Sequence, residues 1–270
     1  MAANCSGPLP LMSVGKVTVL KRRRWHFQLK TLTLSEAMGK PETEEMPGSA
    51  ADFLELCNQV FTVNQADGIR IYMAAFPADE NEPWVPFSKG GTLTVVYAPC
   101  LLNQTNGTYK DIGQGFYYIL HPTNGCVKID QVTAERWIIS EYRNNPLKLP
   151  LLTKLVHNAG GDPAYTDTIS VFHTREEFEQ LKTEVECQEA AKVVASFTSY
   201  TDTEEPGVNS RYLNRMTVEY YLLDADDKLI NITERPRLNY SVAEGEVDVI
   251  AFNNGNLCPP YNCAGDTTNS

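Results

Sequence analysis

The stretch Gly68-Ile-Arg-Ile-Tyr-Met-Ala-Ala-Phe76 decides the fold class, because a helical pattern precedes it and a second strand pattern follows it. It is rich in β-branched and aromatic residues, and a Pro77-Ala-Asp-Glu80 turn signal ends it. Residues 49–61 carry an N-cap pattern, and their apolar positions fall on one helical face. Residues 92–97 read as the second strand. This order predicts an α+β unit in which a helix covers an antiparallel sheet.

The same pattern recurs 125 residues later. Thr174-Arg-Glu-Glu177 repeats the N-cap pattern of Ser49-Ala-Ala-Asp52, and strand-like residues 192–200 and 216–221 follow. The apolar helix positions correspond as Phe53 with Phe178, Leu56 with Leu181, and Val60 with Val185. We therefore expect an α+β fold of two tandem similar units, each with helices packed on an antiparallel sheet. Chance similarity of two α+β stretches is the alternative.

The repeat sets the expected domain boundaries. We expect a first α+β unit over residues 31–127, a second over residues 128–263, and a tail over residues 264–270. A helix pattern at Thr33-Leu-Ser-Glu36, and another around residues 133–138, predict a leading helix in each unit. The second unit has extra residues, 146–168, which predict a long surface loop.

Basic residues are concentrated at the N-terminus. Residues 1–30 hold six Lys and Arg, centred on Lys21-Arg-Arg-Arg24, and no acidic residue. Residues 31–270 hold 17 basic and 34 acidic residues. Proline and glycine interrupt the apolar residues before the basic cluster, so the segment does not fit a secretory signal peptide. We expect either a disordered basic arm over residues 1–30 or upstream residues that a misplaced start codon adds.

Charge and hydropathy limit the expected partners. The net charge of the chain is −11 at pH 7, and an acidic surface repels phosphate backbones, so nucleic acid is not an expected partner. No stretch approaches the roughly 18 consecutive apolar residues of a membrane span, so no membrane association is expected. An unidentified protein or small molecule remains as the expected partner, and no cofactor is predicted.

The seven cysteines do not form the even, clustered set of a small secreted protein. Asn-X-Ser/Thr triplets begin at Asn103, Asn106, Asn231 and Asn239. Without a secretory signal these triplets carry no weight, because they arise easily by chance. We therefore expect reduced cysteines in a cytoplasmic protein.

Two motifs resemble those of a known family. The strand Gly68-Ile-Arg-Ile-Tyr72 and the terminal Leu257-Cys-Pro-Pro-Tyr-Asn-Cys263 are similar to motifs of an uncharacterised bacterial family of short proteins. That family pairs a G-I-R-I-Y strand with a C-terminal C-P-P and a closing Cys. The resemblance spans roughly residues 31–263, but the second half has Lys192-Val-Val-Ala-Ser196 in place of G-I-R-I-Y. It implies the α+β fold in a doubled and diverged form, and it implies no activity or cofactor.

The terminal Cys258-Pro-Pro-Tyr-Asn-Cys263 is the most specific local motif. With Cys126 and a histidine, its two thiolates could complete a tetrahedral zinc or iron site. The pair could instead form a disulfide or act as a redox couple, or the segment could be a plain structural terminus. No second short Cys/His pair is present, which is unusual for a zinc-binding chain. The metal or disulfide candidates are Cys126, Cys258 and Cys263.

Arg70 and Tyr72 alternate with apolar residues, so both side chains lie on one face of the predicted strand. The planar guanidinium of Arg70 could receive the carboxylate or phosphate of a ligand, which makes both residues ligand-binding candidates. In the alternative interpretation, Arg70 pairs with an acidic residue of a neighbouring strand or reaches solvent.

The sequence contains no motif of a known catalytic chemistry. It has no G-x-S-x-G elbow, Walker loop, G-x-G-x-x-G turn or H-E-x-x-H helix. No catalytic residue is therefore predicted, and the question of enzymatic activity stays open. The leading hypothesis is a non-enzymatic binding or protein-interaction protein. The alternatives are a small metal- or thiol-dependent protein that uses the C-terminal cysteine pair, and an enzyme with its site near residues 146–168.

Overall fold

A computed structural model of the chain describes residues 13–113, 115–201, 210–231, 249–252 and 256–258. Its elements, in chain order, are β1 (Ser13–Gly15), α1 (residues 16–38), β2 (Glu45–Ser49), α2 (residues 50–63), β3 (Gly68–Ala75), β4 (Leu93–Asn103), β5 (Thr108–Asp111), β6 (Tyr117–His121), β7 (Gly125–Ile129), α3 (residues 131–143), α4 (Leu149–Asn158), β8 (Ser170–Thr174), α5 (Arg175–Cys187), β9 (Lys192–Ser199), β10 (Met216–Leu223), β11 (Val249–Phe252) and β12 (Asn256–Cys258). Three helices include a π-helical segment: Phe27–Thr31 in α1, Asn58–Val63 in α2 and Arg136–Arg143 in α3.

The described strands form two antiparallel sheets, which confirms the predicted α+β class. The order in the first sheet is β1-β11-β10-β9-β2. The order in the second sheet is β12-β8-β3-β4-β6-β7, and β5 pairs with β4. The predicted strands β3, β4, β9 and β10 are all present, and polar turns follow β4 and β10 as expected from residues 103–107 and 224–228.

The order strand, helix, strand, strand occurs in β2-α2-β3-β4 and again in β8-α5-β9-β10. The first strand of each segment pairs with a strand of the other segment, since β2 pairs with β9 and β8 pairs with β3. The registers correspond: the helix N-cap Ser49 opposes Lys192, and the helix N-cap Thr174 opposes Gly68. Each sheet therefore contains strands from both sides of the predicted boundary at residues 127 and 128, and the two halves do not form separate sheets.

One hydrophobic core joins both sheets through α2 and α5. Phe53 of α2 and Phe178 of α5 are fully buried, and their ring centroids lie 5.7 Å apart. The hydroxyl of Tyr220 on β10 donates a hydrogen bond of 3.3 Å to the hydroxyl of Tyr97 on β4. Phe178 also packs edge-on against Tyr220. These four rings come from both helices and both sheets, so their contacts hold the two sheets together.

Two expectations about the fold differ from the structure. Residues 16–30, predicted as part of a disordered arm, form the first part of α1, and the capping pattern at residues 33–36 lies inside this helix. The interval 146–168, predicted as a loop, contains α4, whose Leu149, Leu152 and Val156 are buried. The sequence of α1 lacks the apolar stripe that would indicate a buried helix, because charged and polar residues occupy most of the face that the helix buries.

We expect Phe178→Ala to lower the free energy of unfolding by about 3 to 5 kcal/mol, because it leaves a cavity among packed rings. Urea denaturation measures this change. Phe87→Ala is the control, since Phe87 is 91% exposed, and it is expected to change stability by less than about 0.5 kcal/mol. Equal effects of the two substitutions would show that the Phe178 ring does not hold the core together.

Candidate functional site

Helix α1 packs on the first sheet with a charged face inward. Arg22, His26 and Lys30 are spaced four residues apart, so they share one side of the helix. All three are buried, with exposed fractions of 6%, 2% and 0%. Polar groups buried at this depth require partners, and the first sheet and the segment before β8 supply them.

Arg22 and Glu219 form the first of these contacts. Nη1 of Arg22 donates a hydrogen bond of 2.9 Å to Oε1 of Glu219 on β10, and both side chains are buried. The guanidinium also stacks on the ring of Tyr200, at 4.4 Å from its centroid. These contacts fix the start of α1 on the outer face of β9 and β10.

Lys30 and Asp167 form a second, fully buried ion pair. Nζ of Lys30 donates to Oδ2 of Asp167 at 2.6 Å, and neither side chain reaches solvent. Oδ1 of Asp167 accepts hydrogen bonds of 2.8 Å from the backbone N–H groups of Thr168 and Met216. Burial opposes the charge on Asp167, but Lys30 and these donors outweigh it and lower the pKa of the carboxyl. Burial lowers the pKa of Lys30, and Asp167 counteracts that effect.

His26 lies between these two pairs as a neutral imidazole. Its Nδ1 is 2.9 Å from Oγ of Ser199, and its ring stacks on Phe197. Burial, with the nearby Lys30, lowers its pKa from 6.5 to about 3. The histidine therefore adds no charge to this region near neutral pH.

Arg215, just before β10, carries the third buried positive charge in this region. Its exposed fraction is 1%, and Nε, Nη1 and Nη2 have no hydrogen-bond partner in the described part of the chain. Asp167 lies within electrostatic range of its guanidinium. We call Arg22, Lys30, Asp167, Arg215 and Glu219 the charged layer. These five described residues comprise three cations and two carboxylates, so one positive charge has no carboxylate partner among them.

The outer side of α1 borders an open cleft of about 430 Å³. The described residues that line this cleft, which we call the α1 cleft, are Leu20, Lys21, Arg24, Trp25, Gln28 and Thr201. Lys21, Arg24 and Gln28 are exposed, and the indole of Trp25 is half-buried. The cleft therefore combines two cations with an aromatic surface.

The indole of Trp25 is held in place by a chain of hydrogen bonds. Its Nε1 donates to Oδ1 of Asn214 at 2.8 Å, and Nδ2 of Asn214 donates to the carbonyl of Ala159 at 2.9 Å. Asn214 adopts a φ of 64°, in the left-handed region that asparagine tolerates better than most residues. Asn214 directly precedes Arg215, so the residue that holds the indole of Trp25 is the sequence neighbour of a buried arginine of the charged layer.

The candidates Arg70 and Tyr72 lie elsewhere, on the face of the second sheet that α3 covers. Nη1 of Arg70 donates to Oδ1 of Asp111 at 2.6 Å, and the hydroxyl of Tyr72 donates to Oδ2 of the same carboxylate. Nη2 of Arg70 donates to the carbonyl of Tyr109. The exposed fractions of Arg70 and Tyr72 are 2% and 0%. The structure therefore shows the alternative arrangement, in which Arg70 pairs with an acid on a nearby strand of the sheet.

The cysteine candidates are only partly within the described residues. Cys126 is a half-buried free thiol, and burial, with Glu55 and Asp52 nearby, raises its pKa to about 12. The side chain of Cys258 and the whole of Cys263 lie outside the described residues. Within the described ranges, no three His, Cys, Asp or Glu side chains are arranged to hold a metal ion. Cys187 is disulfide-bonded, which differs from the expectation that the cysteines are reduced.

No sequence motif marked the residues of this region as candidates. The spacing of Arg22, His26 and Lys30 is a signal that could have placed them on one helical face. No sequence signal links Lys30 with Asp167, which is 137 positions away, or marks Arg215 as buried.

Comparison with known proteins adds no family to this description, since no protein-family model, curated protein or solved structure matches the chain. Among the helices of the described residues, none has the length and apolar character needed to cross a bilayer.

We expect Asp167→Asn to lower the free energy of unfolding by about 3 to 5 kcal/mol, because it leaves the charge of Lys30 buried without a counter-charge. Chemical denaturation measures the loss. Asp227→Asn is the control, since Asp227 pairs with Lys192 at an exposed site, and its expected cost is at most about 1 kcal/mol. A loss for Asp167→Asn as small as that of the control would contradict the role of the buried pair.

Stability is expected to fall as the pH is lowered from about 6.5, because His26 and His173 are buried as neutral rings. Burial lowers the pKa of His173 from 6.5 to about 3, and neither of its ring nitrogens has a hydrogen-bond partner in the described structure. The unfolded chain therefore binds protons that the folded chain does not. His173→Phe is expected to preserve stability at neutral pH and to remove about 2 to 3 kcal/mol of the loss between about pH 6.5 and pH 4.5. Urea denaturation at both pH values tests this, and an unchanged loss in the variant would argue against it.

Proposed function

We propose that this chain is a non-enzymatic binding protein, and that the α1 cleft binds a small anionic molecule with an aromatic or apolar part. The observation that carries the proposal is the convergence of Lys21, Arg24 and the fixed indole of Trp25 on one cleft. Its volume of about 430 Å³ is within the range of small-molecule sites.

The position of Trp25 supports the binding of an aromatic or apolar group. The hydrogen bond to Asn214 uses the polar end of the indole and leaves the ring system to line the cleft. A ring that is already held in position loses little conformational entropy when a ligand packs against it. Leu20, 53% exposed, adds apolar surface beside it.

The charge distribution supports an anionic ligand. Of the basic residues of α1, Lys21 and Arg24 are exposed at the cleft, whereas Arg22 and Lys30 are buried and paired with Glu219 and Asp167. The rest of the chain, residues 31–270, carries a net charge of −17. A positive patch on a negative body concentrates the attractive field at that patch and raises the association rate of small anions. Arg24 lines the cleft and is exposed, and its guanidinium can donate charge-assisted hydrogen bonds to an anion.

The lining of the α1 cleft supports binding rather than catalysis. Among the lining residues that the structure describes, none carries a carboxylate, an imidazole or a thiol, which are the groups most often used for acid–base or nucleophilic catalysis. The buried Arg22 and Lys30 form ion pairs with Glu219 and Asp167. The chemistry of the site is therefore that of charge recognition and aromatic packing.

Fluorescence titration with benzoate and phenyl phosphate tests the proposal. The difference between wild-type and Trp25→Phe emission isolates the signal of Trp25 from those of Trp84 and Trp137. We expect a saturable change with both anions, and binding of neutral benzamide at least about tenfold weaker, which corresponds to about 1.4 kcal/mol. Arg24→Gln is expected to weaken binding of the anions by a similar factor.

Lys192→Gln is the matched control, because it removes one exposed cation that does not line the cleft. It is expected to leave the titration unchanged. Equal responses to benzoate and benzamide, or a titration that is the same with and without Trp25, would overturn the proposed function.

A further inference from the structure

We infer that the guanidinium of Arg215 is a buried binding site for a small oxyanion of the carboxylate class, distinct from the α1 cleft. The inference goes beyond the proposed function, since it concerns a group in the interior of the fold. It starts from the three guanidinium nitrogens of Arg215, which make no hydrogen bond in the described structure although the side chain is 1% exposed.

An unpartnered buried arginine requires a physical explanation. A guanidinium presents five N–H donors and keeps its proton at every physiological pH, so it cannot escape burial by becoming neutral as a lysine can. Removing such a group from water without replacing its hydrogen bonds is strongly unfavourable. Buried polar groups of native proteins are almost always satisfied, by the protein, by ordered water or by an ion.

The neighbouring carboxylate does not satisfy Arg215. No hydrogen bond joins Arg215 to Asp167, whose Oδ2 accepts from Lys30 and whose Oδ1 accepts from the backbone N–H groups of Thr168 and Met216. Arg215 lies close enough to Lys30 to disfavour the charge on that lysine. Two cations therefore share one carboxylate, and the excess positive charge of the layer lies at Arg215.

The surroundings of Arg215 favour a small planar anion. Its backbone is fixed, since its N–H donates to the carbonyl of Tyr212 and its carbonyl accepts from the N–H of Tyr200. The rings of Tyr200 and Tyr212 stack at 5.6 Å, and both lie within electrostatic range of the guanidinium, as does Tyr142. A rigid guanidinium fork with aromatic neighbours matches the two parallel oxygens of a carboxylate.

The test measures thermal unfolding of the 270-residue chain while acetate, phosphate or chloride replaces a bulky sulfonate at constant ionic strength. We expect acetate to raise the wild-type midpoint by about 3 to 6 °C at ten times its dissociation constant, with saturation. Arg215→Met is expected to abolish this increase and, without acetate, to be as stable as wild type or more stable, because it removes the unpaired charge. Arg215→Lys keeps the charge without the fork, so a smaller increase is expected.

Two controls separate the Arg215 site from the α1 cleft. Arg211→Met removes an exposed arginine nearby in sequence, and Arg24→Gln removes a cation of the cleft; both are expected to keep the full acetate effect. An acetate effect that is lost in Arg24→Gln but kept in Arg215→Met would assign the anion to the cleft and overturn this inference while supporting the proposed function.

A second measurement needs no variant. Wild-type protein is equilibrated with acetate, desalted and denatured, and ion chromatography then measures the anion that is released. One acetate per chain is expected. A wild-type midpoint that does not depend on any of the three anions, together with no released anion, would show that Arg215 is buried without an ionic partner. A response to chloride equal to that to acetate would overturn the carboxylate assignment.

Discussion

The contact between Phe53 and Phe178, extended by the hydrogen bond between Tyr97 and Tyr220, is the interaction on which the rest of the structure depends. The four side chains come from α2, α5, β4 and β10, so the contact joins both sheets. The pairing of β2 with β9 and of β8 with β3 also joins the two halves of the chain. Neither half of the chain completes a sheet alone, and we therefore expect the two sheets to unfold together.

The first sheet brings distant parts of the chain into one charged layer. Glu219 lies 197 positions from Arg22, and Asp167 lies 137 positions from Lys30. Because these contacts orient the inner side of α1, they also determine which residues of the helix remain outside. Lys21, Arg24 and Trp25 line the α1 cleft as a consequence. The burial of one charged helical face thus creates the cationic surface on the other.

The buried arginines of the two sheets differ in whether a carboxylate forms a hydrogen bond with the guanidinium. In the second sheet, Asp111 accepts hydrogen bonds from both Arg70 and Tyr72, so the charge of Arg70 is balanced within the protein. In the first sheet, Asp167 lies within electrostatic range of Arg215 but is paired with Lys30. Burial of a cation is tolerated where a partner compensates for its lost hydration. The buried arginine without a hydrogen-bond partner in the described structure is therefore Arg215 of the first sheet, and not Arg70, which the sequence pattern indicated.

The sequence by itself determined the α+β class, the strands β3, β4, β9 and β10, and the capped helices α2 and α5, because local periodicity and capping chemistry are encoded within a few residues. It did not determine α1, since Arg22, His26 and Lys30 occupy positions where an apolar stripe would have indicated a buried helix. Only the tertiary structure decided the pairing of β2 with β9 and of β8 with β3, the partners of Lys30 and Arg70, and the burial of Arg215. Those features depend on contacts between residues far apart in the chain, and local sequence preferences carry no information about which distant side chains will meet.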